Sequence, residues 1–331
     1  MDVVVDAHSD ILLDIQAKRL MGKDRVLETH WTPKMKQGGI KIRVMAIYVD
    51  THNVPERALR AALDMIDSFH QEIESSDSCS FCTSYADLLQ ALQSDKIALL
   101  LGLEGGEPLG DDIQLLHIFH RLGLRVFGLA HARRSSLADG ARYFSEKSGT
   151  PGGLSDSGVK FIERAEELHM VIDLVHLNDI CFADAMHFIT KPAIISHSNS
   201  REIFDHPRNI TDQQIRQIAD HGGVVGINAC SGLVGDGGFE RLMKHLDHMI
   251  NIGGKEHVGL GPDFADYAID LLSPIDRVRA SVDGMRAVEG LEGDEKIPRI
   301  AEALHHQGHL HETIDKIMGN NFMRVFQEVL N

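Results

Sequence analysis

The distribution of apolar residues along the chain predicts eight short strands. Each is a nearly continuous run of apolar and β-branched residues, the pattern typical of a parallel strand that is buried on both faces. The predicted strands are 3–7, 42–49, 97–103, 125–130, 171–175, 193–196, 223–228 and 258–261.

Segments with apolar residues at helical spacing alternate with these strands. In the longest of the intervening segments, Leu59, Leu63 and Ile66 recur every three or four residues. The intervening helical segments are 55–74, 84–92, 113–122, 155–169, 179–189, 212–221 and 239–252. This repeated alternation favours an α/β fold in which the strands close into a (β/α)8 TIM barrel, over a doubly wound sheet.

Two further helical segments, 296–306 and 311–330, follow the last predicted strand, and we expect them to pack outside the barrel. No low-complexity segment or linker interrupts the 331 residues, and single-domain barrels of this length are common. We therefore expect residues 1–331 to form one barrel domain with extra C-terminal helices.

Composition and charge exclude several classes of protein. Apolar residues make up 43% of the chain and charged residues 25%, as in ordinary soluble globular proteins. The net charge of −16 disfavours nucleic acids and anionic membrane surfaces, since both require a basic face. The first ten residues are acidic where a signal peptide is basic, and no run reaches the ~18 apolar residues of a membrane span. We expect a cytoplasmic protein without nucleic-acid or membrane partners.

Candidate chemistry lies at the carboxyl ends of the predicted strands, which is where TIM barrels carry their active sites. Metal ligands or proton-transfer groups follow nearly every strand, which random placement would not produce. The residues at these ends are His8, Asp10, Tyr48, Glu104, His131, His176, His197, Asn228 and Asp263.

The first of these ends carries His8 and Asp10, at positions i and i+2. An extended strand points such residues to the same side, and an imidazole beside a carboxylate suits Zn²⁺. Taken alone, this pair also fits two hydrogen-bonded structural residues.

Glu104 ends an apolar strand and precedes two glycines, and its carboxylate would be costly to bury unless it is paired or bound to metal. Its two oxygens allow it to bridge two ions, while His176 and His197 add nitrogen ligands from neighbouring strands. The sequence thus predicts two ligand sets, one of His8, Asp10 and Glu104, the other of Glu104, His176 and His197.

Two metal ions ~3.5–4 Å apart activate a water between them and polarise a carbonyl oxygen, so such a site hydrolyses amides or phosphate esters. The leaving amine then needs a proton. Asp263 follows the last strand, beside the first, and is the candidate proton carrier, with a loop cap as its alternative role.

In order and spacing, a series of short motifs resembles the membrane dipeptidase (renal dipeptidase) family along nearly the whole chain. The motifs are 6–10, 102–106, 128–131, 153–155, 172–176, 195–198, 208–210, 222–228 and 261–264. The resemblance implies two Zn²⁺ bridged by Glu104, with His8 and Asp10 on one ion and His176 and His197 on the other. It also implies hydrolysis of dipeptides, including some with a C-terminal D-residue, by a hydroxide between the ions.

The same resemblance implies that His131 and Arg208 contact the substrate, that Asp263 moves the proton and engages the substrate amino group, and that the protein is a homodimer. The chain departs from the family after His131, where many relatives carry asparagines. Here Arg133 and Arg134 follow, and they either favour an acidic substrate side chain or lie at the surface.

Two alternatives remain. Another small-amide or cyclic-amide hydrolase of the metal-dependent hydrolase superfamily would usually begin with His-x-His and often use a carboxylated lysine as the bridge, whereas this chain offers His8, Asp10 and Glu104. A non-catalytic ligand-binding barrel would be expected to have lost a metal ligand or the proton carrier, and none is missing.

Overall fold

A barrel of parallel strands forms the centre of the computed structural model, which describes residues 3–142, 149–281 and 284–331. Eight strands follow one another in the order β1-β2-β4-β5-β6-β7-β8-β9, and β9 contacts β1. A short β3 pairs with β4 outside this path. The strands are β1 (Val4–Ser9), β2 (Ile40–Tyr48), β3 (Cys79–Phe81), β4 (Ile97–Glu104), β5 (Leu124–Gly128), β6 (Val171–Asp173), β7 (Ile194–Ser198), β8 (Val224–Ile227) and β9 (Val258–Leu260). The predicted (β/α)8 barrel is confirmed.

Helices connect the strands and surround the barrel. They are α1 (Ile11–Leu20), α2 (Thr32–Gln37), α3 (Ala58–Glu74), α4 (Tyr85–Gln93), α5 (Ile113–Arg121), α6 (Asp156–Glu167), α7 (Asp179–Phe188), α8 (Asp212–Asp220), α9 (Ser231–Val234), α10 (Gly238–Gly253), α11 (Pro274–Ala280), α12 (Pro298–His306), α13 (His311–Asp315) and α14 (Asn321–Val329). The pattern of apolar residues did not predict α1, α2, α9 or α11. None of the described helices has the length and apolar character needed to cross a membrane.

The last helix, α14, packs outside the barrel against its amino end, a position that the sequence did not specify. Its Phe322 and Phe326 belong to an apolar cluster with the first residues of the strands, such as Val5 and Ile42. A Cβ at Gly259 would lie 2.4 Å from the Phe322 ring, so this ring fits only because β9 carries a glycine there. The amino end of the barrel is thereby closed with apolar side chains, and the polar residues lie at the carboxyl end.

Candidate metal centre

The five predicted metal ligands meet at the carboxyl end of the barrel. His8 lies in β1 and Asp10 directly follows that strand, Glu104 is the last residue of β4, His176 lies just beyond β6, and His197 lies in β7. Because parallel strands end at one edge of the barrel, residues separated by up to 189 positions in the sequence become neighbours.

The ring nitrogens of three histidines surround the Glu104 carboxylate. His176 Nε2 lies 2.7 Å from Glu104 Oε1, and His197 Nε2 lies 3.7 Å from the same oxygen. On the other side, His8 Nε2 lies 3.7 Å from Glu104 Oε2. Glu104 therefore occupies the central position that a bridging carboxylate requires.

Asp10 and Asp263 form the side of this cluster that faces the cavity. His8 Nε2 lies 3.9 Å from Asp10 Oδ1 and 3.8 Å from Asp263 Oδ1. The other oxygen of Asp263, Oδ2, lies 3.9 Å from His197 Nε2. Asp263 thus adjoins both sides of the cluster and remains accessible to a molecule in the cavity.

The arrangement fits metal ions. Three groups of side chains have ligand atoms within 4.8 Å of one another: His8, Glu104 and His197; Glu104, His131 and His176; and His8, Asp10 and Asp263. These groups differ in part from the two predicted sets, since His131 joins one of them.

Several of these ligand atoms are buried without a hydrogen-bond partner among the described residues, namely His8 Nε2, Asp10 Oδ1 and Glu104 Oε2. Burying an unpaired polar atom is costly, and a metal ion would satisfy imidazole nitrogens and carboxylate oxygens that converge in this way.

The electrostatics of the cluster indicate a missing positive charge. Burial and the nearby Asp10 and Asp263 raise the pKa of Glu104 well above its usual value. Burial also raises the pKa of Asp263 to about 6, although His8 opposes the shift. For His8, burial acts in the opposite direction, but Glu104 and Asp10 raise its pKa to about 10. Glu104 and Asp263 therefore bind protons more readily than ordinary carboxyl groups, and a metal ion would compete with these protons.

The other histidines are held neutral, as metal binding requires. Burial, followed by the positive charge of Arg208, lowers the pKa of His176 well below its usual value. Burial likewise lowers the pKa values of His131 and His197.

Two residues that were not predicted as site residues orient His197. The Ser196 hydroxyl lies 2.9 Å from His197 Nδ1, which leaves Nε2 directed at Glu104. Asp173 in turn accepts the Ser196 backbone N–H at 3.0 Å, and a hydrogen bond from the Ser196 side chain stabilises its charge. Partners of this kind fix the tautomer and orientation of metal-binding histidines. The sequence offered one indication of their role, which is their position close to predicted ligands. Ser196 directly precedes His197, and Asp173 lies three residues before His176.

Asn228, which was noted only as a strand end, orients Asp263. Its Nδ2 donates to Asp263 Oδ2 at 3.0 Å. The backbone at Asp263 has a φ of 55° and that at His176 a φ of 66°, in the left-handed region that non-glycine residues rarely adopt. Residues that adopt this conformation are concentrated at functional sites, where surrounding contacts maintain it.

The two predicted substrate contacts lie beside the metal ligands. His131 Nε2 is 3.7 Å from Glu104 Oε1, and the His131 ring lies 4.2 Å from that of His176 and 4.8 Å from that of Tyr48. Arg208 is buried, with Nη2 3.3 Å from His176 Nε2.

A cavity opens onto the cluster, and Asp10, Glu104 and Asp263 are among the residues that line it. Leu13, Leu233, Leu272 and Met285 contribute apolar surface to its lining. Its polar lining includes Tyr48 and His131, which the sequence placed at strand ends, and Asp276 and Arg279, which it did not predict.

Arg133 and Arg134 are not among the residues that line this cavity. Arg133 is buried, where its Nε donates to Glu107 Oε1 at 2.7 Å and its Nη2 donates to Val49 O at 2.6 Å. Arg134 is half exposed and pairs with Asp139 at 2.7 Å. The contacts of Arg133 are structural, so neither predicted alternative describes it, while Arg134 fits the surface alternative.

The family model described as membrane dipeptidase (peptidase family M19) matches residues 2–331. A dipeptidase, tcpJ, of Claviceps purpurea (strain 20.1) is 30% identical over 282 residues, which cover 83% of this chain and 61% of that protein. An uncharacterized dipeptidase of Schizosaccharomyces pombe (strain 972 / ATCC 24843) is 27% identical over 352 residues, covering 98% of this chain and 80% of that protein. The chain thus spans less than two thirds of the length of the first of these relatives.

Solved structures share the fold over the full length. The crystal structure of the dipeptidase AC, a metallopeptidase of family M19, has a TM-score of 0.87 and 25% identity, and covers 100% of this chain and 99% of that one. A metallopeptidase from Rhodobacter sphaeroides, liganded with a phosphinate mimic of the dipeptide L-Ala-D-Ala, has a TM-score of 0.87 and 24% identity, with 99% of each chain covered.

Proposed function

The chain belongs to the membrane dipeptidase family of metallopeptidases, and from this premise we propose that it hydrolyses the amide bond of dipeptides at a two-zinc centre. The observation that carries the proposal is the buried Glu104 carboxylate with imidazole nitrogens on both sides and one oxygen that lacks a hydrogen-bond partner among the described residues. The M19 dipeptidase of the same fold supports it, as does the relative crystallised with a dipeptide mimic.

In this proposal, His8 and Asp10 would hold one Zn²⁺, His176 and His197 would hold the other, and Glu104 would be shared by both. When bound, two such ions lower the pKa of a water molecule between them and polarise the carbonyl oxygen of the substrate. Ser196 and Asp173 keep His197 in the tautomer that presents Nε2 to the site.

Asp263 is the proposed proton carrier. Its carboxylate reaches the space between His8 and His197, and burial raises its pKa to about 6, close to the range in which a group can both accept and donate a proton. Asn228 holds Oδ2 by a hydrogen bond, which orients the carboxylate for transfer of a proton to the leaving amine. The same carboxylate also attracts the substrate amino group.

Arg208 and His131 orient the substrate in this proposal. The planar guanidinium of Arg208 suits the C-terminal carboxylate of a dipeptide. The low pKa of His131, caused first by burial, keeps its ring neutral beside the reacting carbonyl. Homodimer formation and a cytoplasmic location stay predictions from the sequence.

The test uses zinc-loaded protein with L-L and L-D dipeptides, tripeptides, a cyclic amide and a phosphotriester. We expect amino acids to be released from dipeptides alone, and this release to stop in the presence of a chelator and in Glu104→Gln. Hydrolysis of the cyclic amide without dipeptide hydrolysis would favour the other amide hydrolase, and binding of zinc without any turnover would favour the non-catalytic barrel.

A further inference from the structure

A surface depression between α12 and α13 is lined by histidines that the proposed reaction does not use. Four of the seven residues from 305 to 311 are histidines. The lining of the depression includes three of these histidines and one carboxylate of α12, namely His305, His306, His311 and Glu302. None of these four residues lines the cavity beside the cluster around Glu104. The depression is therefore another place in the chain where several metal-binding side chains lie together.

The turn between the two helices brings His305 and His311 close to each other. Gly308 has a φ of 88°, in the left-handed region that commonly ends a helix, and its N–H donates to His305 O at 3.0 Å. Leu304 of α12 and Ile314 of α13 both belong to the apolar core. The backbone on each side of the turn is thus anchored, and the two histidines are carried on fixed helix ends.

The rings of His305 and His311 lie at a distance that suits a shared metal ion. Their centroids are 5.5 Å apart, and the His306 ring lies 6.2 Å from that of His305. Two imidazoles that bind one Zn²⁺ through nitrogens at ~2.1 Å have centroids roughly 5 Å apart, so small rotations suffice. Glu302 precedes His305 by three residues, which places both on one side of α12. An ion in the depression would therefore find two nitrogens and a carboxylate oxygen within reach.

The three rings of this depression are available to a ligand. Among the described residues, none of them forms a hydrogen bond or an ion pair, and all three side chains are exposed. By contrast, the exposed His187 of α7 has its Nδ1 2.7 Å from Ala183 O, one turn earlier in the same helix. Binding an ion in the depression would therefore break no existing polar contact of these imidazoles.

We propose that His305 and His311 bind a Zn²⁺ ion at the surface, with Glu302 as a further ligand, and that this ion joins the ends of α12 and α13. The site does not depend on the proposed function, since it shares no residue with the cluster around Glu104. The groups whose ligand atoms already lie within 4.8 Å of one another all belong to that cluster, whereas the surface ligands must rotate to converge. Binding at the surface should therefore be weaker, because ordering these side chains costs conformational entropy.

Equilibrium dialysis against increasing Zn²⁺ tests the proposal on the wild-type protein and three single variants, His305→Ala, His311→Ala and His187→Ala. We expect the wild-type protein to bind one weaker ion in addition to those of the cluster around Glu104. Loss of a direct ligand should cost at least as much affinity as loss of its hydrogen-bond partner, which is about 10- to 100-fold. His305→Ala and His311→Ala should therefore lose the weaker ion and keep their hydrolysis of a dipeptide.

His187→Ala is the matched control, because it removes an exposed histidine of another helix and should leave the weaker ion in place. Backbone hydrogen exchange adds a structural readout. Zn²⁺ should slow the exchange of residues 307–310 in the wild-type protein but not in His311→Ala.

Three results would overturn the proposal. They are equal numbers of ions in the wild-type protein and His305→Ala, an equal loss in His187→Ala, and weaker binding in only one of the His305 and His311 variants. Exchange at residues 307–310 that does not respond to Zn²⁺ would show that the ion does not join the two helices. A wild-type protein that binds the weaker ion alone would instead refute the proposed function and leave the surface site standing.

Discussion

Strand β1 carries two buried charged clusters that differ in how their charges are compensated. Asp6 belongs to the first, the Arg43 cluster, in which Arg43 Nε donates to Asp6 Oδ2 at 2.8 Å and Arg43 Nη2 pairs with Asp294. Two residues further on, His8 belongs to the metal-site cluster around Glu104, where its Nε2 has no hydrogen-bond partner among the described residues. The two clusters adjoin, since Asp6 Oδ1 accepts the His8 backbone N–H at 3.1 Å.

This difference distinguishes charged residues that have a structural role from those that have a functional role. In the Arg43 cluster, side chains of the protein supply both the positive and the negative charges. Their ion pairs join β1, β2 and the segment before α12. In the metal-site cluster the chain supplies ligands and leaves the compensating cation to be bound. Loss of a residue should therefore affect stability at the first cluster and activity at the second.

The largest effect is expected for Glu104→Gln. A bridging carboxylate contributes several kcal/mol to stabilisation of the transition state through the ions, so kcat/KM for a dipeptide should fall by ~10³-fold or more. Activity is measured with zinc and thermal unfolding on metal-free protein, in which the variant should unfold no more readily than the wild-type protein. Activity within tenfold of wild type would show that Glu104 does not bridge.

Next in size is Arg43→Met, which leaves Asp6 and Asp294 buried without their counter-ion. The free energy of unfolding in urea should fall by about 3–5 kcal/mol, while the folded fraction keeps its zinc-dependent activity. Lys41→Met on the same strand is the control, because Lys41 and Asp95 form an exposed pair worth about 0–1 kcal/mol. Equal losses of stability in both variants would contradict the structural role of the Arg43 cluster.

A smaller effect is expected for Ser196→Ala, which removes the hydroxyl beside His197 Nδ1. Zinc affinity should fall by about 10- to 100-fold, and excess zinc should restore activity. Ser94→Ala is a suitable control, since that hydroxyl only bonds Gln90 O on the surface. Unchanged zinc affinity in Ser196→Ala would mean that the hydroxyl does not orient His197.

The smallest effect is expected for Asp10→Asn in metal-free protein. Removing one carboxylate from a cluster without its cation reduces repulsion with Glu104 and Asp263, so the free energy of unfolding should rise by about 1 kcal/mol. Zinc should stabilise the wild-type protein more than this variant. A loss of stability in metal-free Asp10→Asn would indicate that the chain already compensates this carboxylate.

The sequence predicted the metal-site residues because each follows an apolar strand, and strand ends are the most regular feature of a barrel. His8, Glu104 and His197 could be placed from this rule alone. Arg279 could not, because α11 lies in a long connection without a strand pattern and reaches the cavity by tertiary contacts. The burial of Arg133 depends on Glu107, a partner 26 positions away. The place of α14 at the amino end of the barrel was also not specified, because an apolar helix face does not determine which surface it covers.

Zinc stoichiometry distinguishes a two-zinc centre from a barrel that works without metal. Metal-free wild-type protein and Glu104→Gln would be titrated with Zn²⁺, bound metal would be measured by elemental analysis, and hydrolysis of a dipeptide would be recorded at each step. We expect two tightly bound ions per wild-type chain, activity that reaches its maximum with the second ion, and weaker binding without activity in Glu104→Gln. A wild-type protein that binds no zinc, or that cleaves the dipeptide equally well after chelation, would contradict it.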